Sequence, residues 1–232
     1  MVGATLCEDA EALLQELEWV LSPVGLDLET TGCNPEEETP WGNAIPLLMS
    51  LCWRDEEGEL QTHVVHRDDI PHFKSWLEND RYAKVGHNLA HFDRAALHNI
   101  GIDLRGIYGD TLVMSRLLDP GALTHGLKEW GVRLGYEVMD KVKAVSRPRH
   151  SKTPKVYKKT QTVRRNGIPH HYTEGAEVYE INWDSSELMP FDYVWDNYPG
   201  RRQAVAEYAA QDAVLHLALF EHLQAHQVEV LW

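Results

Sequence analysis

Cysteine is scarce in this 232-residue chain. Cys7, Cys33 and Cys52 are scattered without C-x-x-C spacing, a pattern that excludes a zinc ribbon and offers no disulfide framework. No apolar run approaches the ~20 residues that a membrane span needs. The opening stretch is acidic at Glu8 and Asp9, where a signal peptide would be basic. The expectation is a cytoplasmic, intracellular protein with no membrane association. Internal repeats are also lacking. Acid is missing locally: residues 141–173 contain no Asp or Glu, yet they hold ten of the chain's 22 Lys and Arg. The remainder carries 12 basic against 36 acidic residues inside a total net charge of −14. So acidic a body excludes a general polyanion binder and confines positive potential to one segment.

With 43% apolar and 25% charged residues, the chain can bury a substantial core. The expectation is one α/β domain over residues 1–232, with a basic insertion at about 141–173. Helical spacing of Leu13, Leu14, Leu17 and Val20 predicts a helix from Glu8 to Trp19, stopped by Ser22-Pro23. Val24 to Glu29 reads as a strand ended by Thr30-Thr31-Gly32. Strands over Pro46–Arg54 and Glu59–His66 are joined at Asp55-Glu56-Glu57-Gly58, which has hairpin turn chemistry. A helix over Pro71–Glu78, a strand over Ala83–His87 and a helix over Leu89–Asn99 follow, the last capped by Gly101. Asp110-Thr111 reads as the N-cap of a helix to Leu118, Thr124 precedes a helix over Leu127–Leu134, and a long helix spans Arg201–His226. A mixed β-sheet flanked by helices, ribonuclease H-like in topology, is the expected architecture.

A phosphodiesterase must neutralise phosphate charge, make a nucleophile from water and stabilise a leaving alkoxide. Hard divalent ions held by convergent carboxylates do this. Asp27 and Glu29, two apart on a strand, share one face. The same spacing at Asp9 and Glu11 falls on a helix, about 200° apart, and is set aside. Taken alone, Asp27 and Glu29 read equally well as solvated acids at a strand end. Tyr208 and Asp212 lie four apart on the last helix and address one site. Tyr136 and Asp140 repeat that spacing, but after a helix ending near Gly135, without a rigid platform. Asn88, Phe92 and Asp93 begin a helix directly after a strand.

Asp-x-Glu, then Asn-x-x-x-Phe-Asp, then Tyr-x-x-x-Asp, in that order, resembles the three exonuclease motifs of the DEDD superfamily in its tyrosine-bearing branch. The histidine-bearing branch has His five residues before the last Asp, and here position 207 is Glu. The blocks Asp110–Leu118 and His125–Gly135 are similar to those of proofreading domains in phage-type family A DNA polymerases, and the similarity spans residues 24–225 apart from the basic segment. The chain is far shorter than a complete polymerase of that family.

The resemblance implies a 3′-5′ exonuclease acting on a single-stranded DNA 3′ end with two divalent ions, Mg2+ or Mn2+. Asp27, Glu29, Asp93 and Asp212 would be the metal carboxylates, and Tyr208 would orient the attacking water. It places Thr30, Asn88 and Phe92 on the substrate side, although Phe92 reads more readily as core packing. Cys33 stands where the family often has Leu, so the contact to the terminal base is left open. Asp110 reads as a helix cap rather than a ligand. His87 and His91 have zinc-like spacing, but His87 belongs to the preceding strand and the zincin glutamate is missing.

The basic segment interleaves cations with Tyr157, His170, His171 and Tyr172, a mixture that tracks phosphates and stacks on bases. Asn166-Gly167 can turn a two-stranded arm. Lys158, Lys159, Arg164 and Arg165 are its candidate substrate contacts, against the alternative of a solvated loop or a docking site for an acidic partner. A separate DNA polymerase chain is the expected protein partner, in a phage-type setting inside a host cell. The alternatives are an RNA-trimming exoribonuclease and a non-catalytic nucleic-acid or polymerase-binding module.

Overall fold

The computed structural model describes residues 3–31, 44–136, 155–156, 161–165, 168–172, 177–178 and 191–230. Six strands form one mixed sheet: β1 (Thr5–Leu6), β2 (Val24–Thr30), β3 (Pro46–Arg54), β4 (Leu60–His66), β5 (Lys84–Gly86) and β6 (Ile107–Asp110), in the order β1-β4-β3-β2-β5-β6. β3 runs antiparallel to both β2 and β4, while β5 and β6 continue parallel to β2 and β1 parallel to β4. This is the expected mixed sheet with helices on both faces.

Alternation along the central strands explains how both faces are covered. Every residue of β3 except Arg54 is buried. Met49, Leu51 and Trp53 enter a cluster with Leu17 of α1 (Ala10–Trp19), while Leu48 and Cys52 turn to the opposite side. A strand apolar at consecutive positions is the pattern of a strand buried on both faces. In β2 the sequence splits the faces: Val24, Leu26 and Leu28 enter the first cluster, leaving Gly25, Asp27 and Glu29 for the other.

Helices α2 (Lys74–Leu77) and α3 (Phe92–His98) lie on the first face with α1, and α7 (Arg202–Val230) covers the second. Between them in sequence come α4 (Thr111–Leu118), α5 (Leu127–Arg133) and α6 (Phe191–Asn197). The helix expected over Pro71–Glu78 begins as a 3-10 turn, Ile70–Phe73, before α2. The helix expected from Leu89 starts only at Phe92, because Asn88 takes a left-handed conformation (φ 68°) and residues 88–91 form a turn. α5 is capped at Gly126 rather than Thr124, whose hydroxyl instead accepts the Gly126 N–H at 3.3 Å. In the main sheet and its helices, β1, β6 and α6 had no counterpart in the reading of the sequence.

Within the basic segment, β8 (Gln161–Arg165) pairs antiparallel with β9 (Ile168–Tyr172), Arg165 opposite Ile168, the backbone register expected for a turn at Asn166-Gly167. β7 (Lys155–Val156) pairs with β10 (Glu177–Val178). Lys158, Lys159, Asn166, Gly167 and Cys33 lie outside the described residues.

Candidate active site

The acids converge because strand alternation and one small residue bring two elements together. Asp27 and Glu29 project from β2 toward α7. A Cβ at Gly25 would lie 2.5 Å from the carbonyl oxygen of Ala213, so α7 can rest this close to β2 only above a glycine. Asp212, the residue before that carbonyl, is thereby carried to the strand. Ligand-capable oxygens of Asp27, Glu29 and Asp212 lie within 4.8 Å of one another, and all three residues remain partly exposed.

Asp93 is placed differently. It is 3% exposed, and its Oδ1 accepts the Leu28 N–H at 3.1 Å. β5 pairs with β2 only at Val24 and Gly25, so further along β2 the Leu28 amide on that side has no strand partner, and Asp93 supplies the acceptor. Asp93 thus touches the backbone between Asp27 and Glu29 without joining the three-acid group.

Burial pushes the Asp27 carboxyl up to about 7, and burial followed by the charge of Asp27 pushes Asp93 well above the usual carboxylate range. Like charges at close range in poorly solvated surroundings oppose ionisation. A divalent cation removes that penalty, and an all-oxygen donor set suits Mg2+ or Mn2+. Ser50, directly across the β2–β3 pair from Asp27, is fully buried, and its Oγ has no hydrogen-bond partner among the described residues. The donor set therefore fits a hard cation, and beside it lies a hydroxyl still able to donate.

Tyr208 lies one turn before Asp212 on α7, 7% exposed, with its ring 5.6 Å from that of Phe191. Thr30 ends β2 at an irregularity in the pairing with β3. Phe92 is partly exposed and belongs to none of the buried clusters, which corrects the expectation that it packs in the core. Tyr136 follows Gly135 and packs against the cluster of Val85, Val214 and Phe220, while Asp140 lies outside the described residues. Asp9 caps α1 by accepting the Glu11 and Ala12 amides.

A family description of a 3′-5′ exonuclease matches residues 1–145, more than half of the chain. The chain belongs to this 3′-5′ exonuclease family. The exonuclease is 31% identical over 128 residues to DNA polymerase I A, chloroplastic, of Oryza sativa subsp. japonica, covering 50% of this chain and 12% of that protein. It is 25% identical over 215 residues to DNA polymerase I A, chloroplastic/mitochondrial, of Arabidopsis thaliana, covering 85% of this chain and 18% of that protein. It thus spans less than a fifth of the length of either polymerase. Among solved structures, the apo form of a nuclease superposes with a TM-score of 0.54 at 16% identity, covering 99% of this chain and 84% of that one. The fold is therefore shared with a nuclease. Among the described residues, no helix is long and apolar enough to cross a membrane.

One residue beside the acids of the exonuclease escaped the reading of the sequence. His216, one turn after Asp212 and 1% exposed, donates from Nδ1 to the Leu26 carbonyl at 2.8 Å and sets Nε2 3.7 Å from Asp27 Oδ1. Burial holds its imidazole below the ordinary range. Its ring stacks on His87, 6.3 Å between centroids. His87 Nδ1 lies 3.0 Å from Thr111 Oγ1, and burial lowers the pKa of His87 to about 4. The i, i+4 spacing of Asp212 and His216 on one helix was the available signal.

Proposed function

We propose that this exonuclease removes nucleotides from single-stranded or frayed DNA 3′ ends, releasing nucleoside 5′-monophosphates, and serves as a proofreading subunit beside a separate DNA polymerase chain. The observation that carries the reading is the convergence of Asp27, Glu29 and Asp212 within 4.8 Å, one helical turn from Tyr208. Two divalent cations, Mg2+ or Mn2+, would supply charge neutralisation and water activation.

In this reading Asp27, Glu29 and Asp212 would hold one cation, Asp93 would act on the second, and Tyr208 would orient the water that attacks the terminal phosphorus. The P–O3′ bond breaks, and the 3′ oxygen leaves with a proton on the shortened strand. Asn88, Phe92 and Thr30 position the last nucleotides. Residues 1–232 act as one domain, whose basic arm, including Lys158, Lys159, Arg164 and Arg165, tracks the incoming strand. The polymerase relatives support DNA as substrate.

The test uses 5′-labelled single strands of DNA and of matched RNA with Mg2+ or Mn2+. Stepwise shortening from the 3′ end with mononucleotide release, faster on DNA, is expected. Faster degradation of RNA would assign the site to RNA trimming instead. DNA binding without cleavage of either strand would make the chain a binding module.

A further inference from the structure

The sequence presents Asp110 as a helix cap, and it is one: Oδ1 accepts the Leu112 N–H at 3.1 Å and the Val113 N–H at 3.4 Å at the start of α4. A cap needs only one side-chain oxygen. The carboxylate does more. Oδ1 also accepts the Asn88 N–H at 3.0 Å, and Oδ2 accepts the Ala90 N–H at 3.0 Å, from residues 22 and 20 positions earlier.

Those two amides belong to the turn on which the middle motif depends. Asn88 is the only non-glycine residue with positive φ among the described residues. Its carbonyl accepts from Phe92 N at 2.8 Å and His91 N at 3.2 Å, starting α3 at Phe92 and Asp93. Asp93 in turn holds the Leu28 amide between Asp27 and Glu29. The neighbouring Thr111 reinforces the grip, its hydroxyl donating to the Gly86 carbonyl at 3.2 Å and accepting from His87 Nδ1. An uninterrupted series of hydrogen bonds and one short helix start thus joins Asp110 to the metal-binding face of β2.

We infer that Asp110 is a positioning residue of the exonuclease site, holding the Asn88–Ala90 turn so that Asn88, Phe92 and Asp93 reach substrate and metal. Asparagine tolerates the left-handed region better than other non-glycine residues, and the two amides bound to one carboxylate fix the turn in that conformation. The inference rests on the reading of the site proposed above.

Asp110→Ser and Asp110→Asn keep a capping oxygen. Serine cannot reach the distant amides, and asparagine sets an NH2 donor against the turn. Asp110→Ala removes both roles. Thermal melting, Mn2+ binding by calorimetry without DNA, and kcat and KM on single-stranded DNA are measured for all three beside Asp27→Ala. Stability should fall modestly in Asn and Ser, which keep the cap, and by about 3 °C more in Ala, which loses it. Activity should rank differently: Ser, Asn and Ala all fall at least about tenfold in kcat, with weaker Mn2+ binding. Ser and Asn variants within twofold of wild type in both activity and Mn2+ affinity would make Asp110 a cap alone and overturn the inference. Continued cleavage by Asp27→Ala would instead overturn the reading of the site, so the two failures are distinguishable. If the serine variant melts below the assay temperature, the asparagine variant carries the same comparison.

Discussion

At Lys84 the chain buries a primary amine completely. Nζ donates to the carbonyls of Trp76 (2.7 Å) and Asn79 (2.8 Å) and lies 4.6 Å from the Trp76 ring centroid. A neutral amine has two N–H donors, matching these two carbonyls, and burial pulls the pKa down to about 8. The unfolded chain therefore binds the extra proton between pH 8 and about 10.4. Stability rises with pH across that window, and the gain is lost as pH falls through 8. Relative to Lys84→Met, the wild type should gain about 2–3 kcal/mol of unfolding free energy between pH 7.5 and 10. Cys52, pushed up to about 11 by burial, acts in the opposite direction in both proteins and cancels in the difference. Urea unfolding at the two pH values measures this, and parallel curves would contradict it. At the proposed site, Tyr208→Phe should keep DNA affinity and lower kcat by about a hundredfold, read from single-turnover rates on labelled DNA.

Elements succeed or fail on close approach. α7 reaches β2 because position 25 is glycine, and the approach sets Asp212 beside Asp27. Gly25→Ala should therefore cost about 1–3 kcal/mol of stability and lower kcat/KM together, as a displaced α7 carries Asp212 away from the strand. Denaturant unfolding and exonuclease assays on the same preparation check both. Long periodic elements such as α7, and buried runs such as β3, were legible in the sequence because many residues repeat the signal. β6 was not: Ile107-Tyr108-Gly109-Asp110 is short and interrupted by glycine. α6 was obscured by its last residue, Asn197, and by Pro199 and Gly200 just after it, which read as loop. The order of the acid motifs was legible. That Asp93 bonds the Leu28 amide outside the three-acid group and that Asp110 spans two elements depend on hydrogen bonds between residues 20 to 65 positions apart, which no local pattern encodes, whereas His216 had a local signal in its i, i+4 spacing from Asp212.

For the whole molecule, charge partition is the dominant feature. An acidic body, with three of its acids gathered at one site, repels a polyanion, and the basic segment carries the opposite sign. Removing residues 146–168 eliminates Arg147, Arg149, Lys152, Lys155, Lys158, Lys159, Arg164 and Arg165. If the arm tracks substrate, affinity for single-stranded DNA falls, and the slope of log affinity against log salt flattens by about 0.7 for each phosphate that is no longer neutralised. Unchanged affinity and slope would make the arm a solvated loop.

The most direct test of the central claim, that Asp27, Glu29 and Asp212 hold the metal at which 3′ ends are hydrolysed, pairs Mn2+ calorimetry with cleavage of single-stranded DNA for wild type and Asp27→Asn. The claim predicts that the wild type binds Mn2+ and shortens DNA stepwise from the 3′ end, that EDTA stops it, and that the folded variant loses both Mn2+ affinity and cleavage. A folded Asp27→Asn protein that still binds Mn2+ as tightly and cleaves at the wild-type rate would contradict it.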